Sequence, residues 1–174
     1  MVEAIDREEV TAMTMTRRLK EYLDENGVKY EVIAHPSTHS APETAETLHV
    51  PGKEVAKVVM IRDGPENVMT VLPASLMVDL PRIQEVLGRD WNRRIRLATE
   101  AEFAELFPDC EVGMMPPFGN LYGLDVLVDA ALTEDEDIIF PAGNSREAIR
   151  MKYDDFERLA VPRVVDFGTR PVGR

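Results

Sequence analysis

Two separate segments carry residues suited to binding a negatively charged or carbonyl-containing ligand. The first is the glycine-proline loop, Gly113-Met114-Met115-Pro116-Pro117-Phe118-Gly119. Glycines at both ends and a Pro-Pro pair in the middle are typical of a shaped loop whose peptide groups another molecule can approach closely. The second is Lys57, which lies in the apolar run of residues 55–61. A cation is out of place there unless it faces a negative group, so the two segments together predict a ligand site.

The element that positions Lys57 is predicted to be a strand. Residues 54–62 are rich in β-branched side chains, and a cluster of turn formers follows at residues 63–67. Residues 68–72 then return as the hairpin partner. We therefore expect Lys57 in mid-strand, where neighbouring strands fix its backbone and only the side chain is mobile.

The remaining chain predicts an α+β domain. Helices are expected from Thr16 to Asn26, from Ser40 to His49, from Asp79 to Gly88, from Thr99 to before Pro108, and from a cap at Asp154; further strands are expected at residues 28–33, 124–129, 137–140 and 147–152. Tight turns favour a largely antiparallel, curled and barrel-like mixed sheet flanked by helices. Residues 1–15 show no clear period and predict a flexible arm, followed by a single domain at residues 16–174.

A family resemblance rests on the order and spacing of these motifs. The motifs are the lysine in an apolar strand, the Gly-x-x-x-Pro spacing of Gly113 and Pro117 running on into Phe118-Gly119, and Phe140-Pro141-Ala142-Gly143-Asn144 before a strand. In these features, from about residue 16 to about residue 159, the sequence resembles the YbaK and prolyl-tRNA synthetase associated-domain family. Its members hydrolyse amino acids from mischarged tRNA. The resemblance implies that fold, that activity and no metal requirement.

The resemblance also implies roles for the main site residues. Lys57 would meet the terminal phosphate or carbonyl of an aminoacyl-tRNA, and Gly113 and Pro117 would hold the ester carbonyl or terminal ribose at the scissile bond. Considered without the resemblance, Lys57 is equally a snorkelling or ion-paired side chain, and the loop is a rigid connector. Val58 replaces a polar residue of some relatives, which leaves the amino-acid selectivity open.

Further candidates surround this proposed centre. Pro116, Phe118 and Gly119 complete the loop, whereas Met114 and Met115 either shape an amino-acid pocket or fill the core. His35, in a His-Pro pair that matches a strand end of relatives, is expected to line the pocket.

The turn Gly143-Asn144-Ser145 offers amide groups to a substrate, although Gly-Asn-Ser is also ordinary turn chemistry. Asp129, at the end of a strand, resembles an acidic position of the family and would orient a water or a hydroxyl. Its alternative role is to cap the following segment. The two interpretations of Asp129 carry equal weight.

Neither metal chemistry nor a cysteine nucleophile is favoured. His35 and His39 have the spacing of a helical zinc pair, with His49 farther on, but Pro36 disfavours a helix and no recognisable ligand set is completed. We therefore expect no metal and no cofactor. Cys110 is the single cysteine, and it has no evident catalytic partner nearby.

The charge of the chain limits how it can bind nucleic acid. A formal net charge of −12 argues against general adhesion to phosphates and against a DNA partner. Cations nevertheless cluster around Trp91, and we expect Trp91, Arg93, Arg94 and Arg96 to touch a tRNA acceptor stem, with an exposed basic face as the alternative. Binding that contacts the tRNA mainly at its terminal nucleotide should be weak and salt-sensitive.

Composition favours a cytoplasmic protein without a membrane partner. The sequence has one cysteine and no apolar run of membrane-spanning length, and its first residues lack a signal-peptide core. The function that these observations favour is a trans-editing hydrolase that releases a wrongly attached small amino acid from mischarged tRNA. The alternatives are a non-catalytic module that binds a tRNA end, a small nucleotide or an aminoacyl-tRNA synthetase, and, more distantly, a metal-dependent hydrolase.

Overall fold

Three β-sheets form the frame of the computed structural model, which describes residues 15–87 and 94–171. The strands are β1 Tyr30–Ala34, β2 Ala56–Asp63, β3 Glu66–Pro73, β4 Met77–Val78, β5 Ile95–Leu97, β6 Val126–Asp129, β7 Asp137–Pro141, β8 Glu147–Lys152, β9 Arg163–Val165 and β10 Gly168–Thr169. The orders are β1-β8-β7, β5-β2-β3-β6-β9 and β10-β4. Pairing is antiparallel except for β3 with β6 and β6 with β9, which are parallel.

Helices cover the open faces of these sheets. Their bounds are α1 Arg17–Glu25, α2 Ala41–Thr47, α3 Leu80–Val86, α4 Glu100–Phe103 and α5 Tyr153–Ala160. Local sequence explains the starts, because Thr16, Ser40 and Asp79 accept hydrogen bonds from backbone N–H groups of the first turn. None of the helices within the described ranges combines the length and the apolar character needed to cross a bilayer.

The main core joins the five-stranded sheet, β7 and β8 of the three-stranded sheet, and the helices α1 and α5. Alternation along β2 sends Ala56 and Met60 into this core, while Ile61 joins a second cluster on the opposite face. A third, smaller cluster joins Ala45 of α2 to Val55 and Ala148. A single parallel bridge between Val55 and Ile139 links β2 to the three-stranded sheet, so the start of β2 lies where the two sheets meet.

The expected α+β class and mixed sheet are confirmed, with three corrections. The strands form separate sheets and not one curled, barrel-like sheet, because β1 and β7 pair with β8 and not with a strand of the five-stranded sheet. Lys57 is the second residue of β2 and not a mid-strand residue. Lys152 occupies the cap position of α5, while Asp154 lies in the first turn.

The arm predicted for residues 1–15 falls on residues 1–14, which lie outside the described residues, and on Met15, which is buried in the main core.

Candidate functional site

A small cavity lies where α2, the start of β2, the start of β8 and the glycine-proline loop meet. Its volume is about 40 Å³, which is space for a few waters or one short side chain, since one ordered water needs about 10–15 Å³. Residues from these four elements and the connections around them line it: His35, Thr38, Ser40, Ala41, Thr44, Val55, Lys57, Val58, Gly113, Met114, Pro141, Asn144, Glu147 and Ala148. The structure thus brings together Lys57 and the start of the loop, as the sequence predicts.

The Lys57 ammonium is held in this cavity with little compensation. Its Nζ donates one long hydrogen bond of 3.4 Å to the Ala74 carbonyl, and no carboxylate among residues 15–87 and 94–171 forms an ion pair with it. Burial disfavours the charged form and lowers the pKa of Lys57 below its ordinary value. A negative atom that approaches this ammonium group therefore lowers the free energy of the system.

The first two residues of the glycine-proline loop form the wall opposite. Gly113 has a φ of +85°, a backbone conformation that favours glycine. No described residue accepts a hydrogen bond from the Gly113 N–H, so this donor is available to a ligand. Met114 lines the cavity beside it and is 8% exposed.

The rest of the loop turns into the protein and does not line the cavity. Residues 115–119 are all buried. The Phe118 ring is fully buried and packs edge-on against Phe140 and Phe156, at centroid distances of 5.7 and 5.4 Å. At Gly119 a Cβ would lie 2.7 Å from Val126 Cγ2. We therefore correct the assignments of Phe118 and Gly119: both serve core packing.

Met115, Pro116 and Pro117 are also away from the cavity lining. Met115 belongs to the main core, which is one of its two expected roles. The two prolines restrict the backbone directly after Met114. Their contribution to the site is therefore to hold Gly113 and Met114 in place.

The turn of residues 143–145 supplies a third wall of the cavity, and hydrogen bonds from neighbouring residues hold it in position. Asn144 is 5% exposed; its Oδ1 accepts from the Arg146 N–H at 2.8 Å, and its Nδ2 donates to Glu147 Oε1 at 3.2 Å. The Ser145 N–H donates to the Glu111 carboxylate, and the Glu111 N–H donates to the Gly143 carbonyl. Asn144 reaches the cavity, whereas Gly143 and Ser145 hold the turn in shape.

His35 lies at the cavity as expected. Its Nδ1 is 2.7 Å from the Pro36 carbonyl, and because a carbonyl only accepts, Nδ1 carries the proton. In that tautomer the Nε2 atom has a lone pair that can accept a hydrogen bond.

A chain of hydroxyl groups, which the sequence analysis missed, lines the α2 side. Thr44 Oγ1 donates to the Ser40 carbonyl at 3.0 Å and lies 2.7 Å from Thr38 Oγ1. Since the Thr44 proton is engaged with Ser40, the Thr38 hydroxyl donates to Thr44, and its own lone pairs remain free. The available signal was the Ser37-Thr38 pair directly after His35-Pro36 and Thr44 one turn into the predicted helix.

Glu147 also lines the cavity without having been predicted from the sequence. It is the first residue of β8, half-buried, with its carboxylate bonded to Asn144. The signal was an acidic residue directly after the Gly-Asn-Ser turn, where a strand begins.

Asp129 lies away from this cavity and is committed to backbone contacts. Its carboxylate accepts from the N–H groups of Ala131, Phe167 and Gly168, at 3.1, 2.9 and 2.7 Å. Of the two roles considered, these are the contacts of a capping residue. The predicted role in orienting a water or hydroxyl is therefore corrected.

Of the predicted tRNA patch, Trp91 and Arg93 lie outside the described residues. Arg94 is exposed. Arg96 forms a bidentate pair with Glu102 at 2.8 and 2.7 Å, and this contact, with the bonds from Thr99, holds the pKa of Glu102 well below its ordinary value. The guanidinium of Arg96 is therefore already occupied.

Cys110 and the histidines do not form further reactive sites in the described part of the chain. Burial raises the pKa of the Cys110 thiol to about 12, which opposes thiolate formation. No group of three or more His, Cys, Asp or Glu side chains is arranged for a metal ion in residues 15–87 and 94–171.

Known proteins share both sequence and fold with this chain. The family model described as aminoacyl-tRNA editing domain matches residues 35–159, more than half of the chain. The multifunctional Ser/Thr-tRNA deacylase ProXp-y of Escherichia coli (strain K12) is 28% identical over 156 residues, covering 87% of this chain and 91% of the relative.

Two solved structures share the fold. The hypothetical protein APE2540 has a TM-score of 0.77 at 20% identity, covering 88% of this chain and 100% of that one. A protein provisionally assigned as a trans-editing enzyme for prolyl-tRNA synthetase has a TM-score of 0.75 at 21% identity, covering 88% and 96%.

Proposed function

Because the chain belongs to the aminoacyl-tRNA editing domain family, we propose that it is a trans-editing deacylase. Its proposed substrate is mischarged tRNA. The bond that it hydrolyses is the ester between a small, hydroxylated amino acid and the acceptor end of that tRNA. Editing of this kind is needed because synthetase pockets discriminate poorly between small side chains. The observation that carries the proposal is the cavity itself, which joins an uncompensated cation, a free loop N–H and a hydroxyl-lined recess of about 40 Å³.

The proposed mechanism relies on electrostatics and positioning. Lys57 attracts the terminal phosphate or the ester carbonyl, and the Gly113 N–H donates to the oxygen on which negative charge develops. The nucleophile is a water or the hydroxyl of the substrate itself. In this proposal no metal takes part. The acceptor stem of the tRNA is contacted by Trp91, Arg93 and Arg94.

The preference for a hydroxylated side chain follows from Thr38. A serine or threonine side chain that enters the recess donates its proton to the free lone pairs of Thr38 Oγ1, while Val55 and Ala148 contact its carbon atoms. Alanine fits the space but leaves this acceptor unpaired. The name of the 28% identical relative, a Ser/Thr-tRNA deacylase, supports this choice.

The test is release of amino acid from tRNAs charged with serine, threonine, alanine, proline and cysteine. We expect fastest release of serine or threonine, and Lys57→Met should slow it by about 100-fold or more, the usual cost of losing one electrostatic contact to the reacting oxygen. Lys29→Met, which removes an exposed lysine away from the cavity, should retain the wild-type rate.

Two results would contradict the proposal. Wild-type rates in Lys57→Met would remove this lysine from the site. Binding of mischarged tRNA without release of any amino acid would favour the non-catalytic module, whose partner could include a synthetase.

A further inference from the structure

The carboxylate of Glu147 faces the same cavity as Lys57 without being paired to it. Both side chains line the cavity, but no cation within residues 15–87 and 94–171 forms an ion pair with Glu147. Its side-chain contact is the amide of Asn144 on Oε1, and Oε2 accepts from none of the described residues. One cavity therefore contains a cation and an anion that are both uncompensated.

This arrangement is fixed by the backbone around it. The Glu147 carbonyl accepts from the Ala142 N–H at 3.1 Å, and Asn144 is itself held by the Arg146 N–H. A half-buried carboxylate without a cation costs free energy in the empty protein. A ligand that brings a positive charge next to Glu147 recovers that cost.

Resting on the proposed function, we propose that Glu147 binds the α-ammonium group of the esterified amino acid. An esterified serine or threonine carries one positive charge, on the nitrogen of the carbon next to the ester carbonyl. With the carbonyl at Lys57 and Gly113 and the side chain at Thr38, the group left for a cation is the Glu147 carboxylate, which is the one carboxylate among the described residues that line the cavity. Glu147 is thus a substrate-binding residue that selects aminoacyl esters over esters of uncharged acids.

The test compares seryl-tRNA with its α-hydroxy analogue, in which a hydroxyl group replaces the ammonium at nearly the same size. Each enzymatic rate is divided by the spontaneous hydrolysis rate of the same ester. We expect the wild type to favour seryl-tRNA by about 10-fold or more in kcat/KM, the usual minimum for losing a charge-assisted contact.

Glu147→Gln should abolish this preference by slowing seryl-tRNA hydrolysis alone. Glutamine keeps an oxygen that accepts from Asn144, so the wall of the cavity survives, which circular dichroism and the thermal midpoint will verify. Glu147→Asp keeps the charge on a shorter side chain and should retain part of the preference. Glu46→Gln, at an exposed position of α2, makes the same charge change outside the cavity and should retain all of it.

Either of two results overturns the assignment of Glu147: equal wild-type rates on the two esters, or an equal loss on both in Glu147→Gln. These results leave the deacylase function intact, because the wild type still releases serine. Failure of the wild type to release any amino acid overturns the function itself, so the two failures are distinguishable.

Discussion

Lys57, to which we assign an electrostatic role in the proposed reaction, is expected to lower the stability of the folded protein. Its side chain is partly buried, its carbonyl contact is long at 3.4 Å, and burial lowers its pKa. These features weaken the folded state relative to an apolar residue of similar length. They also leave the charge available to a substrate, which is the property that the proposed reaction needs.

Lys57→Met should therefore raise the thermal midpoint at pH 7, because it removes the cost of burying an ammonium group and keeps most of the apolar contact. The folded pKa of Lys57 lies below its unfolded value, so the wild type gains stability as pH rises from the folded pKa towards 10.5. The midpoint difference between variant and wild type should consequently shrink between pH 7 and pH 10 in thermal denaturation.

Lys29→Met serves as the control, since an exposed lysine should give little change at either pH. A lower midpoint for Lys57→Met than for the wild type would mean that the ammonium stabilises the fold.

A cavity residue could be predicted from the sequence where its residue type is unusual for the segment around it. Lys57 was conspicuous as a cation in an apolar strand, and Gly113 as a glycine before two prolines. Thr38 and Glu147 were not, because a threonine after a turn and a glutamate at a strand start are ordinary. Only the folded chain brings both to one cavity, where the Thr38 N–H donates to the Ser145 carbonyl two residues before Glu147. Phe118 was misassigned because an aromatic residue in a candidate loop does not reveal which way its ring points.

The turn of residues 143–145 connects a structural element to the cavity. Gly143 has a φ of +101°, and a Cβ there would collide with Thr16 Cγ2. Thr16 cannot easily move, because it is buried and its Oγ1 caps α1 by accepting from the Leu19 N–H at 3.1 Å. The close approach of this turn to Thr16 thus fixes both the start of α1 and the position of Asn144.

Gly143→Ala should destabilise the protein more than Gly123→Ala. Both positions have positive φ, but a Cβ at Gly123 meets nothing within 4 Å. Gly123→Ala should cost about 1–2 kcal/mol for the left-handed conformation, and Gly143→Ala should cost about 1–3 kcal/mol more for the collision. Urea denaturation measures both. Equal costs would show that Thr16 yields without penalty.

Element types followed from local patterns, whereas their assembly did not. The caps at Thr16 and Ser40 and the β2–β3 hairpin were predictable because their contacts are close in sequence. The parallel pairing of β6 with β3 and the departure of β7 to another sheet depend on contacts distant in sequence. For that reason the curled single sheet was only an approximation of the fold.

The whole molecule carries a net charge of −12, which limits how it holds a polyanionic substrate. Much of its cationic surface is already paired, as in the contact of Arg96 with Glu102. Under the proposed mechanism, recognition is concentrated at the terminal aminoacyl nucleotide, which the cavity residues contact.

We therefore expect weak tRNA binding whose salt sensitivity corresponds to only a few phosphate contacts. For about two phosphate contacts, raising the salt concentration from about 50 to 200 mM should weaken the affinity about 10-fold, as measured by filter binding or fluorescence anisotropy. Arg93→Glu with Arg94→Glu should weaken binding and flatten this dependence without slowing hydrolysis of a minimal aminoacyl-nucleotide. A loss of about 1,000-fold over the same range would indicate an extensive phosphate interface.

The cavity walls also impose a handedness. In the proposed binding mode three different substituents of one tetrahedral carbon are contacted by Lys57 with Gly113, by Thr38 and by Glu147. These residues belong to separate segments of the chain and cannot exchange places. A mirror-image amino acid can satisfy any two of these contacts but must direct its third substituent away from its partner. We therefore expect the proposed site to act as a stereochemical filter as well, which spares esters of the opposite enantiomer.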